Sequence, residues 1–548
     1  MQTVSENWKN VHKRALLNES FVEVSLDIGD PDALADATSQ DNGAVYISNS
    51  SELTKGVDKT PTPYCTLEQN LWCLDGKRKA IPESNFGDTC YVGDVLSDDT
   101  CLFSTKLPVI TITFGKVFTK LIPGVTITWS ATYGEWADTF TVIAYNGDTV
   151  VAEKEVVGNK SVKSMAWTDI IGYDRITIII KKWCLPNHRP RVEEIFVGLN
   201  KVYGKTELFD YSHSQSVDPV SLSLPKFEIK FSVDNVDGEY NLHNTEGLTQ
   251  YLMERQEVKS RYGQKMDDGS VEWIKGGTFY LSEWYAKQNG MTADFTARDL
   301  LEFMSSAIYH DDPPIIEPSV VGESNIGKRS LYSLAESILQ SADLPLNGDG
   351  TVKWAIHDSL KDIDTQAPLP EDTLANCLQL IANAGECVLY QDRNGMLHIE
   401  PLKGSATDTS QDTDYKIDSF NSYSKSEITL SKPLKQVNVK VYTYKMGENG
   451  IESATTEESK VVGSAGESIT VDNPLITDTD RASSLASWLT THLKHRMTLD
   501  SSWRADVRLD ALDIVKNENN YNTSRVRMTD VEFKYNGAFR GTGKGKVI

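Results

Sequence analysis

The stretch that decides the fold is FEIKFSVDNVDGEYN, residues 227–241. Apolar and polar residues alternate through FEIKFSV, which is the pattern of a half-buried β-strand. The acidic residues that follow have two interpretations, a calcium-binding loop or a tight turn. A calcium loop that began at Asp234 would need oxygen ligands at its third and fifth positions, where Val236 and Gly238 stand. This register fails, so Asp237 and Gly238 predict a turn after a strand.

Strand patterns of this kind recur over most of the chain. FYLSEWYAKQNGMTADFTAR (279–298) predicts a hairpin that turns at Asn289 and Gly290. QVNVKVYTYK (436–445) alternates as a strand does, and residues 525–548 predict another hairpin. The predicted hairpins at 279–298 and 525–548 have similar residue patterns, which is a faint sign of two related β-domains.

Residues 61–206 have a distinct pattern. Five short β-runs follow one another with turn signals between them: VITITF, VTITWS, TFTVIAY, RITIIIKKW and VEEIFVG. No helix of useful length is predicted there, and this spacing favours a β-sandwich. The preceding residues 29–62 are rich in Asp, Ser, Asn and Thr and predict a loop.

Helical periodicity is confined to short segments. Apolar residues at helical spacing predict helices over residues 5–17, 299–304, 330–339, the first part of 373–400, and 480–496. Ser330 is a suitable N-cap, and Gly385 ends the helix that begins near residue 373. A hairpin follows that helix.

Composition limits the classes of function. The chain has 548 residues, enough for three to five domains, and a net charge of −23. Such a charge repels nucleic acid phosphates and argues against tight DNA or RNA binding. It would suit a channel that passes DNA without holding it. No secretory signal or membrane-length apolar run is present, so we expect a soluble protein that is made in the cytosol.

Metal and cofactor sites are not predicted. The seven cysteines include a cluster from Cys65 to Cys101, but no Cys-x-x-Cys pair. We favour buried or incidental thiols for this cluster. The alternative is a metal site or disulfides. His310, Asp311 and Asp312 are consecutive and precede two prolines, so we expect a loop there rather than a set of metal ligands.

Motifs for catalysis are also missing from the sequence. Neither Gly-x-Ser-x-Gly nor His-Glu-x-x-His occurs. GESNIGKR (322–329) comes nearest to a phosphate-binding loop, but Arg329 stands where the magnesium-binding Ser or Thr belongs. We therefore predict no catalytic residues and no enzyme, although an active site assembled from distant residues stays open.

Aromatic residues in the sandwich are the candidate ligand contacts. Tyr133 and Trp136 lie in the turn ATYGEW, and sugar-binding sandwiches stack such residues on pyranose rings. The alternative is packing into a core or an interface, which is the commoner fate of Trp and Tyr. Trp167 and Trp183 are further aromatic residues of the same region.

Four segments together resemble the tail-hub, or baseplate-hub, proteins of tailed bacteriophages. The first comprises SVDPVSLSLPKFEIKFSVDNVDGEYN (216–241) and YLMERQEVKSRYG (251–263). The second is GGTFYLSEWYAKQNGMTADFTARDLLEFM (276–304), and the third is TLANCLQLIANAGECVLYQDRNGMLHIEPL (373–402). The fourth comprises residues 472–489 and SSWRADVRLDALDIV (501–515). Residues 61–206 resemble a discoidin-like, galactose-binding-type sandwich.

The resemblance implies a mainly β, α+β multidomain fold with two hub-type β-domains. The implied domains are the N-terminal part of the first hub β-domain (1–60), the inserted sandwich (61–206), the remainder of the first hub β-domain (207–305), a helix-plus-hairpin connecting domain (306–425) and the second hub β-domain (426–548).

The resemblance also implies a structural role in the virion. Such hubs close the distal end of the tail tube as a homotrimer and leave a passage for DNA. The implied partners are the distal tail protein ring, the tape-measure protein and receptor-binding or tip proteins, with host glycan a further candidate and no membrane insertion. Because no cell-wall-cleaving extension follows the second β-domain, an enzymatic role is not expected.

Two other functions remain open. One is a carbohydrate-binding adhesin in which the sandwich contacts host glycan through Tyr133 and Trp136. The other is a hydrolase with an unrecognised site.

Overall fold

The structure is a computed structural model of the whole chain. It describes residues 1–548 except 15–17, 56–60, 74, 75, 77, 81–89, 288, 289, 315–325, 348, 349, 448, 449, 505 and 520. Asn289 of the predicted hairpin turn and residues 322–325 of GESNIGKR therefore lie outside the described residues.

The fold is mainly β and multidomain, as predicted. Its strands, in chain order, are β1 (Ser20–Ile28), β2 (Thr38–Asp41), β3 (Tyr64–Cys65), β4 (Lys79–Ala80), β5 (Tyr91–Val92), β6 (Val109–Phe118), β7 (Ile122–Thr128), β8 (Ala137–Asn146), β9 (Thr149–Val157), β10 (Lys163–Ile170), β11 (Tyr173–Trp183), β12 (Arg191–Val192), β13 (Glu194–Phe196), β14 (Leu199–Tyr203), β15 (Leu208–Ser216), β16 (Lys226–Asp234), β17 (Glu257–Lys265), β18 (Val271–Ala286), β19 (Thr292–Arg298), β20 (Arg329–Ser330), β21 (Trp354–Ile356), β22 (Asp364–Thr365), β23 (Cys387–Gln391), β24 (Leu397–Pro401), β25 (Asp412–Ile417), β26 (Glu427–Leu430), β27 (Leu434–Gly447), β28 (Gly450–Val461), β29 (Glu467–Val471), β30 (Met497–Arg504), β31 (Ile514–Glu518), β32 (Thr523–Tyr535) and β33 (Phe539–Val547).

The helices are short and capped. They are α1 (Glu6–His12), α2 (Pro31–Asp36), α3 (Leu331–Ser341), α4 (Leu374–Ala384) and α5 (Thr479–Leu493), with 3-10 helices at Ser50–Glu52, Leu248–Tyr251, Leu300–Met304 and Asp358–Asp362. Side chains of Ser330, Thr373 and Asp478 accept hydrogen bonds from the first-turn backbone of α3, α4 and α5. Among the described helices, none has the length and apolar character needed to cross a membrane.

The predicted turn at the end of β16 is confirmed. The backbone N–H of Gly238 donates to the carbonyl of Asn235 at 2.9 Å. The side-chain oxygen of Asn235 accepts from the backbone N–H of Tyr240, also at 2.9 Å. Gly238 has φ +69°, a conformation that glycine adopts without strain. Asp234, the first acidic residue of the stretch, accepts from the backbone N–H of Val236 at 3.1 Å and so helps to shape the turn.

One large sheet joins distant parts of the chain. Its thirteen strands include the path β14-β1-β17-β18-β19-β16-β15-β32-β33-β30-β26, while β31 pairs with β32 and β25 pairs with β31. The connection between the two halves is β15, which pairs with β16 on one side and β32 on the other. A single buried core packs on both halves. We call this element the main sheet.

The sandwich forms its own core. A five-stranded sheet, β2-β6-β11-β8-β9, and a three-stranded sheet, β10-β7-β13, share buried residues that run from Ala33 to Val197. The domain boundaries of 61 and 206 stay a prediction. The predicted loop over 29–62 is corrected, since it contains α2 and β2. Residues 38–41 read TSQD and lack strand alternation, and their strand conformation comes from pairing with β6.

A third core surrounds the helices. It contains α3, α4 and α5 together with the sheets β21-β24-β23 and β28-β27-β29. The helix and hairpin predicted over 373–400 are confirmed as α4, β23 and β24. Part of the predicted second hub β-domain belongs here, since β27 and α5 pack against each other while β30 to β33 join the main sheet. The division into five domains stays a prediction.

Candidate functional site

The candidate glycan-contact residues lie on the connection between β7 and β8. Ser130 and Glu135 pair across this loop through two backbone hydrogen bonds of 3.0 Å. Between them stand Tyr133 and Gly134, and Gly134 adopts φ +68°. Trp136 follows the closing pair directly. The tight loop therefore carries both predicted residues, as the sequence indicated.

Tyr133 is half-buried and held by its neighbours. Its hydroxyl accepts from the backbone N–H of Tyr64 at 2.7 Å and donates to the Tyr64 carbonyl at 3.0 Å. Burial raises the pKa of Tyr133. The guanidinium of Arg191 lies 4.7 Å from the ring centroid and that of Arg78 lies 5.6 Å from it. These cations compete for the ring faces on which a sugar would stack.

The space beside Tyr133 is small. A cavity of about 20 Å³ lies between this residue, Arg191, Glu193 and Tyr91. This volume holds about one water molecule and no pyranose ring. A sugar at Tyr133 would therefore have to bind from outside the loop.

Trp136 has different surroundings. Its half-buried side chain packs against the sandwich core, and its backbone N–H donates to Cys184 Sγ at 3.3 Å. Of the other aromatic residues, Trp183 is fully buried, whereas Trp167 on β10 is 49% exposed. The contact of Tyr133 and Trp136 with glycan stays a prediction.

A buried ionic network lies next to this loop, and the sequence analysis missed it. The Glu135 carboxylate accepts from Trp183 Nε1 at 2.9 Å and lies 2.8 Å from His188 Nδ1. Arg191 pairs with Glu68 at 2.5 Å and lies 3.6 Å from Glu135. The hydrogen bond to Glu135 raises the pKa of His188. The sequence signal was weak: a single acidic residue, Glu135, and a basic run at residues 187–191.

This network suits a structural role better than proton transfer. A carboxylate and an imidazole at hydrogen-bond distance are groups that can act together in general acid–base catalysis. However, Glu135 and His188 are each only 2% exposed, so a substrate does not reach them. Their bonds instead tie the β7–β8 loop to residues 183–191.

The residues considered as metal ligands have other partners. Both oxygens of Asp311 accept from the guanidinium of Arg329 at 2.6 Å, and one accepts from Leu369 N–H at 2.7 Å. The exposed His310 lies instead 3.8 Å from Glu371. The segment is the predicted loop. No group of three or more His, Cys, Asp or Glu in the described part of the chain is arranged to hold a metal ion.

The cysteines are described in full and all seven are free. Cys65 Sγ donates to the carbonyl of Cys73 at 2.8 Å. Burial raises the pKa of Cys90 and of Cys184 to about 11. These thiols therefore stay protonated at neutral pH and are weak nucleophiles.

The two edges of the main sheet differ in their cover. At one edge, β14 lies against the sandwich, where Thr126 Oγ1 donates to the Gly198 carbonyl at 2.8 Å. At the other edge, β26 pairs with β30 and with no further described strand. An open edge strand presents unpaired N–H and C=O groups on which another chain can pair.

The open edge is also apolar. Ile428 pairs with Leu499, and paired residues of antiparallel strands point to the same face of a sheet. Leu499 is buried in the core at 2% exposure, whereas Ile428 is 56% exposed. Leu430 pairs with Met497, and both are exposed. The face of the main sheet that packs on the core at β30 therefore extends to β26, where its apolar side chains are exposed.

Two exposed aromatic residues lie beside this edge. Phe420 and Tyr423 precede β26, and the backbone N–H of Tyr423 donates to the Ser502 carbonyl at 3.0 Å. We define the edge strip as these exposed apolar residues of the β26 edge: Phe420, Tyr423, Ile428, Leu430 and Met497. Exposed apolar patches of this kind mark interaction surfaces. Local sequence patterns did not indicate the edge strip.

Part of this chain is similar in structure to solved proteins, whereas its sequence matches none of the family models. No family model and no curated protein matches the sequence. Among solved structures, similar ones include a tail protein from Neisseria meningitidis (9% identity, TM-score 0.41, covering 63% of this chain and 93% of that one). Others are a 43 kDa tail protein of prophage MuSo2 from Shewanella oneidensis (10%, 0.39, 63% and 95%) and a prophage tail protein, gp18, from Listeria monocytogenes (12%, 0.36, 63% and 91%). At these identities and TM-scores the likeness does not establish a family for this chain.

Proposed function

We propose that this chain is a structural subunit of a phage-type tail, a hub that closes the distal end of the tail tube as a homotrimer. The observation that carries the proposal is the open edge of the main sheet at β26, with its exposed edge strip. Soluble proteins normally cover or charge such an edge. Copies arranged in a ring cover it through heterologous contacts that close.

In this role the subunit has partners on both sides. The hub contacts the distal tail protein ring on one side, and the tape-measure protein and receptor-binding or tip proteins on the other. The net charge of −23 supports a passage for DNA, because walls of like charge do not retain the phosphate backbone. The subunit works in the virion tail tip without catalysis, a metal or a cofactor.

The edge strip provides the test of assembly. Two lysines at its centre, I428K/L430K, place charge on the surface that the neighbouring copy would cover. We expect the wild-type chain to have the native mass of three chains and this variant to be monomeric. The matched control is V150K/V157K, which adds two lysines at exposed valines of β9, an edge strand of the sandwich; this control should remain trimeric.

Two results would contradict the proposal. A wild-type chain that stays monomeric at micromolar concentration counts against the hub. A trimer that I428K/L430K leaves intact removes β26 from the interface.

A carbohydrate-binding adhesin is the second candidate function. It is favoured by the two half-buried aromatic residues, Tyr133 and Trp136, on one loop of a sandwich that we propose to be discoidin-like. A glycan array with the full chain tests it, with Y133A and W136A compared with W167A. Binding that is lost only in the first two variants supports the adhesin. A silent array leaves the hub proposal as it stands.

A further inference from the structure

Cys65 and Cys73 lie in contact next to the β7–β8 loop of the sandwich. Cys65 belongs to β3, and its Sγ donates to the backbone carbonyl of Cys73 at 2.8 Å. A carbonyl oxygen lies about 2.4 Å from the Cα of its own residue, so Cys65 Sγ is within about 5 Å of Cys73 Cα. Seven residues, 66–72, separate the two cysteines, and we call this segment the Glu68 loop.

This arrangement is close to that of a disulfide. Bridged cysteines have Cα atoms about 4.4–6.8 Å apart. Because the Cys65 sulfur already lies against the Cys73 backbone, rotation of the Cys73 side chain with a small shift of the loop brings the two sulfurs together. Strands β3 and β4 have two residues each and pair only with each other in the described part of the chain, so local opening costs little here.

The two thiols differ in exposure, which sets the order in which they react. Cys65 is 1% exposed, whereas Cys73 is half-buried, so a small-molecule disulfide reaches Cys73 first. A third cysteine, Cys90, lines the cavity of about 20 Å³ together with Tyr64 and Thr66, the chain neighbours of Cys65. Burial raises the pKa of the Cys90 thiol to about 11, so this thiol stays protonated and competes weakly.

We propose that Cys65 and Cys73 are an oxidation site at which a small-molecule disulfide closes the Glu68 loop. The Cys73 thiolate attacks one sulfur of the small disulfide, bonds to it, and releases the other sulfur as a thiolate. The Cys65 thiolate then attacks Cys73 Sγ and releases the second small thiolate. Two protein thiols are thereby oxidised to one disulfide, and the small disulfide is reduced to two thiols. The two protons from the cysteines pass to these thiols through solvent.

The bond stabilises the contacts that the Glu68 loop makes with the sandwich. Glu68 pairs with Arg191 at 2.5 Å and accepts from the backbone N–H of Arg189 at 2.8 Å. The Arg191 guanidinium in turn lies 4.7 Å from the centroid of the Tyr133 ring. A closed Glu68 loop therefore holds in place the ion pair that packs against the β7–β8 loop.

The pair responds to the redox state of its surroundings. In a reducing compartment both residues stay thiols, and in oxidising surroundings the disulfide persists. A chain that is made in a reducing cytosol and later leaves it gains the bond only after release. The site does not depend on the proposed tail role.

Peptide mapping of the full chain tests the site. The chain is incubated with oxidised glutathione, its remaining thiols are blocked with N-ethylmaleimide in denaturant, and it is digested with trypsin. Cys65 and Cys73 share the tryptic peptide 60–77, whereas Cys90 lies in the peptide 80–106. We expect peptide 60–77 to lose two hydrogens and carry no label after oxidation, and to carry two labels after treatment with dithiothreitol.

Serine variants separate the roles of the two thiols. C65S lacks the thiol that resolves the mixed disulfide, so glutathione should stay bonded to Cys73. C73S lacks the accessible thiol, so its peptide 60–77 should neither lose hydrogens nor gain glutathione. C73S also keeps the result interpretable if C65S fails to fold, since Cys73 is only half-buried. The matched control is C90S, which should form the bond as the wild type does.

Hydrogen exchange measures the effect of the bond on the loop. The backbone N–H of Leu71 donates to the Glu68 carbonyl at 3.1 Å. Oxidation should slow the exchange of this N–H at least about tenfold, because the bond removes open conformations of the loop. The same treatment should leave the exchange in C73S unchanged.

Three results would overturn the proposal. The first is two labels on peptide 60–77 after equilibration with excess oxidised glutathione. The second is a bond from Cys65 or Cys73 to another cysteine, which would assign the contact to a different pair. The third is unchanged exchange at Leu71 in the oxidised chain, which would show that the bond does not lock the loop.

Discussion

At the scale of single residues, a buried histidine of the main sheet contributes to the response to acid. His213 is 1% exposed, and its Nδ1 lies 2.6 Å from the hydroxyl of Tyr262. Burial and then the charge of Arg393 lower the pKa of His213 to about 3. The imidazole is therefore neutral in the folded protein, whereas its pKa in the unfolded chain is about 6.5.

The sign of the resulting pH effect follows from linkage. Because the folded pKa is depressed, the unfolded chain binds more protons as the pH falls below about 6.5, and stability is lost. For His213 the loss is about 2 kcal/mol at pH 5 relative to pH 7. We expect H213Q to reduce this difference in urea unfolding at the two pH values. The exposed His243 supplies the control H243Q, which should keep the wild-type difference. An unchanged pH dependence in H213Q would refute the assignment.

At the scale of elements, a glycine permits close approach of two sandwich strands. Gly124 in β7 has φ +130°, and an added Cβ would lie 2.0 Å from the carbonyl oxygen of Ala166 on β10. Gly134 in the β7–β8 loop also has positive φ, +68°, but nothing lies within 4 Å of its added Cβ. An alanine would therefore be strained by the positive φ at both positions, and only at position 124 would it also clash with a neighbouring strand.

This difference predicts unequal effects of alanine. G134A should lower the free energy of unfolding by about 1 kcal/mol, the cost of the left-handed conformation. G124A should lower it by about 3 kcal/mol or more, because the β7–β10 pairing must also separate. Chemical denaturation followed by tryptophan fluorescence measures both, since Trp129 and Trp183 are buried in the sandwich core. Equal effects would show that the strands separate without cost.

At the scale of the whole molecule, the main sheet should unfold as one unit. Phe533 on β32 pairs with His213 on β15, and its fully buried ring lies 6.3 Å from the imidazole. It also lies 6.4 Å from the ring of Tyr262 on β17. The seam between the two halves of the sheet therefore depends on packing from both sides.

Removing this ring tests the coupling. F533A should cost about 3–5 kcal/mol, and hydrogen exchange should increase in β15 and β16 as well as in β32 and β33. I178A, which opens a cavity in the sandwich, should increase exchange in the sandwich alone. If F533A affects β32 and β33 only, the two halves of the main sheet are independent units.

The predictions from sequence succeeded where the information is local. The strand before Asp234 and its turn follow from alternation and from a glycine at the turn, and α3 follows from apolar spacing and its Ser330 cap. Strands β9 and β10 were missed. Residues 149–157 read TVVAEKEVV and are exposed or half-exposed throughout, so no buried face produces an alternating pattern.

The candidate sites show the same limit. The sequence indicated Tyr133 and Trp136 as loop aromatics, but the cations beside Tyr133 come from residues 78 and 191. Cys65 and Cys73 stood out only as part of a cysteine cluster, because their contact depends on how residues 66–72 fold back.

By itself, the sequence determined a mainly β chain with a sandwich, capped helices and turns, because side-chain periodicity and backbone sterics act over a few residues. The tertiary structure alone decided that both halves form one sheet, that β14 is covered and that β26 is open. Ser216 and Asp530 are bonded although they are 314 positions apart. Such pairings depend on which edges meet after the chain has collapsed, and neighbouring residues carry no record of that choice.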